Sequence, residues 1–553
     1  MDITEGKEFE KKSKVQCVSE ENLEMIGSNS IESDQVENIK VLADEKNNNA
    51  EGLNFVDVDK NKKSTILKNY MFNVLYQLFL ILVPIIVTPY VSRVLQPEGV
   101  GQFSFSSSII TYFTIFAALG CNLYGQREIS KYQGDKHKQS VVFYEIFIVR
   151  IFSTFLVLAL NLILCAFNIY GAYNTLMWIL SINIFAVIFD FSFVLQGNEA
   201  FGKLVLRNII VRSLSVASIF IFVKSADDVW VYTLITAITL VVSNLAIIFY
   251  LRNMIERVSF RELKPSRNIV PVLRFFIPTI VISIYTILDK TLIGVILHSD
   301  AQNGYYEQAY KIVSVAVTLV TALSLVMVSR NSYEKHRGNS DKLKSNVYFA
   351  SQLVMFIGFP IMFGVMAVAQ NINLWFFGPG YNDVIVLMIF FAPLIMAIGL
   401  NNVTGIQYMM AVGRENTFTI TVLVGAILNC ILNLILIYAI GVLGAVIASV
   451  VAETAILLLQ LFILRNEISV KKFLFSGWKC FLSSIVMFAV LWFIKDYFES
   501  SILNTSLLVV IGVVIYGVMV LILRENTVKS LIQKILKKEK ADYDKKNSKK
   551  ADA

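Results

Sequence analysis

The stretch NYMFNVLYQLFLILVPIIVTPYVSRVLQPEGVGQFSFSSSIITYFTIFAALGCNLYGQREISKY, Asn69 to Tyr132, decides how the rest of the chain is read. Two long apolar runs flank a polar turn, Gln96-Pro97-Glu98-Gly99-Val100-Gly101. The first run carries Pro84 and Pro89 and closes on Arg93. In water such a hairpin would be insoluble. In a bilayer, where about 20 apolar residues cross the hydrocarbon core, it is a pair of spanning helices.

Composition agrees. Of 553 residues 56% are hydrophobic and only 16% charged, where a soluble chain is about 25% charged. Mean hydropathy is +0.63. The cysteines (Cys17, Cys121, Cys165, Cys430, Cys480) are scattered and odd in number, and the histidines are only His137, His298 and His336. Neither a disulfide framework nor a metal site is supported, and no cofactor is expected. Residues 1–64 are polar and carry a net charge of −6, leaving +14 on the rest. So few large apolar groups cannot offset the entropy of ordering, which predicts a disordered acidic tail. No apolar signal-peptide core precedes residue 70. The segment 525–553 is lysine-rich, a basic tail able to lie on anionic lipid.

Apolar length places spans near 69–94, 103–124, 141–166, 173–195, 207–223, 229–251, 270–297, 305–329, 346–369, 384–411, 418–439, 441–464, 474–495 and 503–523. The fold class expected is therefore an all-α polytopic membrane protein of about 14 transmembrane helices. One set of loops holds the lysines and arginines (Arg127 to Lys138, Arg252 to Arg267, Arg330 to Lys344, Arg414, Arg465 to Lys472), whereas the alternate set is nearly free of them. By the positive-inside bias the basic loops and both termini belong in the cytoplasm. Trp178, Trp230, Trp375, Trp478 and Trp492 fall at or beside span ends, as an interfacial belt requires.

A shift of 203 residues lays Gly101 on Gly304, Ile109 on Ile312 and Arg127 on Arg330. A shift of 216 lays Gly197-Asn198-Glu199 on Gly413-Arg414-Glu415. Pro84 and Pro89 open one half, Pro271 and Pro278 the other. Matching loops lie on the same side, so the repeat is parallel: two six-helix halves, 65–268 and 269–466, followed by two additional helices in 467–524. Halves of this kind rock against each other around a midplane site.

PYVSRVLQPEGVGQFSFSSSI, with LGCNLYGQREISKYQGD after it, resembles the opening of the bacterial polysaccharide repeat-unit flippases (O-antigen and capsule). These form the polysaccharide transport family of the multidrug/oligosaccharidyl-lipid/polysaccharide exporter superfamily. FDFSFVLQGNEAFGKLVLRN resembles that family's D-x-x-W-x-x-x-G-x-E-x-F junction, with Phe193 in place of the tryptophan. LDKTLIGVIL and NGYYEQAYKI resemble its seventh and eighth spans, although Ser329-Arg330 replaces the usual Pro-Arg. The similarity covers about residues 66 to 465. It implies a flippase rather than an enzyme, one that moves undecaprenyl-pyrophosphate-linked oligosaccharide from the cytoplasmic to the outer leaflet of the bacterial cytoplasmic membrane. The implied partners are that lipid-linked oligosaccharide, the lipid bilayer, and a polysaccharide polymerase with glycosyltransferases.

Ionisable groups at membrane depth cost about 2.5–3.5 kcal/mol on insertion scales and mark pathways. Arg150, well inside the third span, is the expected headgroup contact, because a guanidinium fork suits phosphate oxygens. Arg93, Lys290 and Lys311 are expected to line the outer cavity, and Arg274 its cytoplasmic opening. The alternative for Arg150 is an ion pair with Glu145 or Glu453; for Arg93 and Lys311 it is snorkelling to the interface. Asp289 and Glu453 are candidate coupling carboxylates, and Asp190 with Arg212 a structural pair or part of the opening. Two signals carry little. Gly197 to Lys203 imitates a phosphate loop, but Leu204 stands where a hydroxyl must hold Mg²⁺, so neither nucleotide nor nucleic acid is expected. The serines 104 and 106–108 suit close helix packing better than nucleophilic chemistry. The rival readings are an ion-coupled multidrug or organic-cation antiporter of the same superfamily and a membrane polysaccharide polymerase. Arginine and lysine at depth speak against the first, and the shortness of every loop against the second.

Overall fold

The computed structural model describes residues 55–322 and 324–525. The chain divides into two units, Met1–Met71 and Phe72–Ala553, and the helical bundle is the second. Most of the expected acidic tail and the basic C-terminal segment lie outside the described residues. The first helix begins at Phe55, ahead of the boundary expected at 64.

The described residues are helical almost throughout and include no strand. In order they are α1 (Phe55–Ala118), α2 (Cys121–Lys131), α3 (Lys136–Ala166), α4 (Asn174–Ala186), α5 (Ser192–Gly197), α6 (Phe201–Phe222) and α7 (Val229–Leu245). The second half holds α8 (Ser266–Leu297), α9 (Asp300–Thr321), α10 (Ser324–His336), α11 (Ser340–Phe376), α12 (Asn382–Phe391), α13 (Pro393–Asn401), α14 (Glu415–Ile440) and α15 (Val442–Leu464). A short α16 (Val470–Phe475), α17 (Trp478–Ile494) and α18 (Ile502–Ile522) complete it. Among the described residues, 11 helical stretches are long and apolar enough to cross a membrane. The protein is a multi-pass membrane bundle.

The opening hairpin differs from its expectation. No polar loop separates the two apolar runs; α1 turns at one residue, Gln96, at φ 59 and ψ 174. Pro97 then starts the second arm, where a missing N–H costs nothing and the fixed φ suits a first turn. The Gln96 side chain donates to the Arg93 carbonyl at 2.7 Å, covering one acceptor left by the break. A second economy appears at Gly441, which alone separates α14 from α15. Its φ of 66 and ψ of −147 suit glycine, and the two helices pack along each other over their length.

The 203-residue offset returns as a contact. A Cβ on Gly101 would lie 1.7 Å from the Asp300 carbonyl oxygen, and one on Gly304 would lie 2.1 Å from the Pro97 carbonyl oxygen. Pro97 and Asp300 are themselves 203 residues apart, so the contact between the two glycine-bearing segments is reciprocal. Three residues on, Ser104 donates to Glu307 at 3.2 Å, again across 203 residues. The bare backbones of α1 and α9 thus meet here, and only glycine permits that approach.

The link between the halves is anchored as well. Glu145 of α3 is buried and accepts from Lys264 N at 2.7 Å, Arg267 Nε at 2.8 Å and Asn268 Nδ2 at 2.7 Å. Tyr124 of α2 donates to the Asn268 amide oxygen at 2.6 Å. The start of α8 is held to the first half by these bonds.

Candidate functional site

The polar core of the first half is built around a break in a membrane helix. α4 ends in a single turn, Val187–Phe189, and α5 starts at Ser192, leaving Asp190 with non-helical backbone, φ −77 and ψ 83. A carbonyl freed at membrane depth must find a donor. Arg150 of α3 supplies it, donating to the Asp190 carbonyl and, at 2.5 Å, to Asn122 Oδ1. Asn122 closes a triad of linked residues by donating to the Asp190 carboxylate at 2.6 Å. The Phe193 ring lies 5.3 Å from the guanidinium.

Arg150 is 1% exposed. The guanidinium fills the interior behind Asn122 and Asp190 and bonds to those two residues rather than to Glu145 or Glu453. Glu145 holds Arg267, and Glu453 accepts from Asn401 Nδ2 at 2.5 Å. Arg150→Ala is expected to remove two charge-assisted hydrogen bonds of about 1.5–3 kcal/mol each. The folded protein recovered from membranes should fall steeply, and Arg150→Lys, lacking the fork, should restore only part. Full recovery of Arg150→Ala with an unchanged melting temperature would contradict this role.

In front of the triad lies a cavity of about 750 Å³ lined by Thr111, Thr114, Asn122, Asn183, Asp190, Arg207, Asn208, Asn244 and Thr279. Its walls come from α1, α2, α4, α6, α7 and, through Thr279, the second half. A second cavity of about 470 Å³ adjoins it and shares Arg207, Asn208 and Asn244, adding Arg212, Tyr232, Thr236 and Ser243. Arg207 therefore stands where two polar cavities meet, its side chain held by Asn208 Oδ1 at 2.6 Å. Both volumes fall in the range of about 300–1,000 Å³ usual for small-molecule sites. Arg207 is absent from the sequence-based candidates because it stands at the edge of an apolar run. The helix actually starts at Phe201, which sinks Arg207 by nearly two turns. Asp190 and Arg212 do not pair with each other; Asp190 belongs to the triad and Arg212 to the second cavity.

The remaining candidates divide into two groups. Lys290 lies 2.5 Å and Lys311 3.5 Å from the carboxylate of Glu307. Glu307 is not among the sequence-based candidates, although its i, i+4 spacing to Lys311 is a legible signal. The pairing makes the three residues, with Ser104, part of the seam between the halves. Arg93 also spans the halves, donating to the Trp375 carbonyl. Arg274 is exposed on α8. Asp289 forms a separate centre in the second half. It is buried and accepts from Tyr306 at 2.5 Å, Asn433 Nδ2 at 2.7 Å and Ser449 Oγ. These donors come from α9, α14 and α15 and all are neutral.

The family described as "Polysaccharide biosynthesis protein" matches residues 66–329. A protein of Escherichia coli K12 assigned as an O-antigen transporter is 24% identical over 422 residues, covering 73% of this chain and 98% of its own. A Haloferax volcanii protein assigned as the low-salt glycan biosynthesis flippase Agl15 is 24% identical over 352 residues, covering 62% and 72%. Over these stretches the chain is similar to polysaccharide transporters and flippases. Solved structures agree on the fold. The lipid II flippase MurJ in its inward closed conformation superposes with a TM-score of 0.69 at 16% identity, over 84% of this chain and 100% of that one. An inward-facing multidrug transporter of the MOP superfamily superposes at 0.56, with 15% identity over 74% and 94%. The chain thus shares its fold with a lipid II flippase and with a multidrug transporter.

Proposed function

We propose that this protein carries undecaprenyl-pyrophosphate-linked oligosaccharide repeat units from the cytoplasmic to the outer leaflet by alternating access, driven by an ion gradient. The observation that carries the reading is the arginine-centred polar cavity of the first half. Arg207 and Arg212 offer fork-shaped donors to phosphate oxygens, and the asparagines and threonines around them offer the neutral donors and acceptors a glycan needs. The deep Arg150 then acts through position: it holds Asn122 and Asp190 in the wall.

The geometry supports an inward-open arrangement. Gly101 and Gly304 seal the start of the second arm of α1, and the cavity lies along its later part, from Ile110 to beyond Ala118. At about 1.5 Å per residue the seal and the mouth are about 25 Å apart. The mouth lies beside α2, whose loop belongs to the basic set assigned to the cytoplasm. Rocking the halves about the contact between Gly101 and Gly304 would reverse access. The coupling centre in this reading is Asp289, whose neutral donors leave its charge for a proton or another cation.

Arg207→Ala is expected to lower export of surface polysaccharide at least about tenfold, the loss of one charge-assisted bond of about 1.5–3 kcal/mol. Membrane abundance should be unchanged and Arg207→Lys should keep part of the activity. Complementation of a strain lacking this gene reads the result; full export by both variants overturns the cavity assignment. Resistance to organic cations on overexpression would instead favour the antiporter reading, which the fold shared with multidrug transporters leaves as the rival.

A further inference from the structure

A third polar pocket lies between the start of α11 and the short α16, far along the chain from the transport cavity. It has a volume of about 690 Å³ and is lined by Ser345, Tyr348 and Gln352 from α11 and by Ser469, Lys471 and Lys472 at α16. Both lysines are exposed, and among the described residues neither has a carboxylate within ion-pair distance. The scaffold beneath them is ordered. Ser469 caps α16 by accepting from Lys472 N at 3.3 Å, and its own N–H donates to the Tyr348 hydroxyl at 2.7 Å. The Lys472 ammonium lies 4.5 Å from the centre of the Tyr348 ring. Two cations and several hydroxyls therefore converge on a pocket that the transport reading does not use.

The surroundings say what kind of anion would come. Phe473 is fully buried and pins α16 to the bundle, whereas Phe475 and Trp478 are 64% and 52% exposed beside it. A short helix with lysines above exposed aromatic rings is the signature of the headgroup layer, where anionic lipid attracts basic groups. Glu525, the last described residue, accepts from Gln352 at 2.8 Å. The positive charge of Lys471 and Lys472 suits an anionic partner.

We propose that this pocket binds the headgroup phosphate of an anionic membrane phospholipid, holding α16 and the end of α18 at the membrane surface. The same chemistry could be met by the diphosphate of a carrier lipid, so the test separates the two. Full-length protein in neutral detergent is titrated with short-chain phosphatidylglycerol and, in parallel, phosphatidylcholine, and bound lipid is counted by native mass spectrometry. Wild-type protein should prefer phosphatidylglycerol. Lys471→Gln with Lys472→Gln should weaken it by about fivefold per lysine and about thirtyfold for the pair, at about 1 kcal/mol each. Arginine at both positions should retain binding, and Lys342→Gln with Lys344→Gln, cations outside the lining, should leave it unchanged. An unchanged melting temperature for each variant excludes misfolding. Equal loss in the Lys342/Lys344 variant would reduce the site to general surface charge and overturn the proposal. So would inorganic diphosphate binding at the pocket with no preference between the two phospholipids.

Discussion

Gly304→Val is expected to abolish transport while leaving a folded, membrane-inserted protein. Even the first added carbon would lie 2.1 Å from the Pro97 carbonyl oxygen, where carbon–oxygen contacts settle at about 3.3–3.6 Å. The obstacle is backbone on both sides, so no side-chain rotation relieves it, and α1 and α9 must part by about 1.2 Å or more. The seam then loses the support of Ser104 on Glu307, and with it the packing that closes this end. Gly101→Val should do the same, since its Cβ would lie 1.7 Å from the Asp300 oxygen. The measurement is reaction of a cysteine placed at Ser104 with a membrane-impermeant maleimide. It should be slow in the parent and fast in Gly304→Val, alongside loss of polysaccharide export. Slow labelling together with full export in the valine variant would show that the two glycines are not the closing contact.

The seam is half legible in the sequence. The offset of 203 residues identifies Gly101 and Gly304 as equivalent, but equivalence does not say that two residues touch. Contact is a property of the assembled halves. Hydropathy locates the helices because a bilayer demands a minimum apolar length. It cannot locate the break at Asp190, since Phe189-Asp190-Phe191 contains neither proline nor glycine. That one break explains why Arg150 bonds to a backbone carbonyl and not to an acid. A cation at depth announces that burial has been compensated somewhere, and the compensator here is a main-chain carbonyl that no side-chain inventory contains. Arg207 is hidden for the opposite reason, because the apolar run begins later than the helix does. Glu307 is half legible: its i, i+4 spacing to Lys311 can be read from the sequence, but its pairing with Lys290, 17 residues earlier, follows only from the fold.

Asp289→Asn is expected to separate the two things a coupled transporter does. The carboxylate sits among Tyr306, Asn433 and Ser449, donors from three helices that are more than a hundred residues apart at the extremes. Its sequence neighbour Lys290 is turned to Glu307 instead, as a step of about 100° along a helix allows. A buried carboxylate with neutral donors alone is costly unless a cation or proton joins it. Its occupancy must therefore bias how α8, α9, α14 and α15 pack, and by reciprocity that packing biases occupancy. Asparagine keeps the shape and one acceptor oxygen but can no longer gain or lose charge. The variant should fold and should still exchange substrate between equal pools, because the cavity around Arg207 is untouched. Accumulation driven by a proton or sodium gradient in proteoliposomes should fall by about 5–150-fold, the span of a coupling of about 1–3 kcal/mol. Asp289→Glu should keep part of the drive. If accumulation survives in Asp289→Asn under both gradients, the coupling centre lies elsewhere, and Glu453, bonded to Asn401, becomes the residue to change.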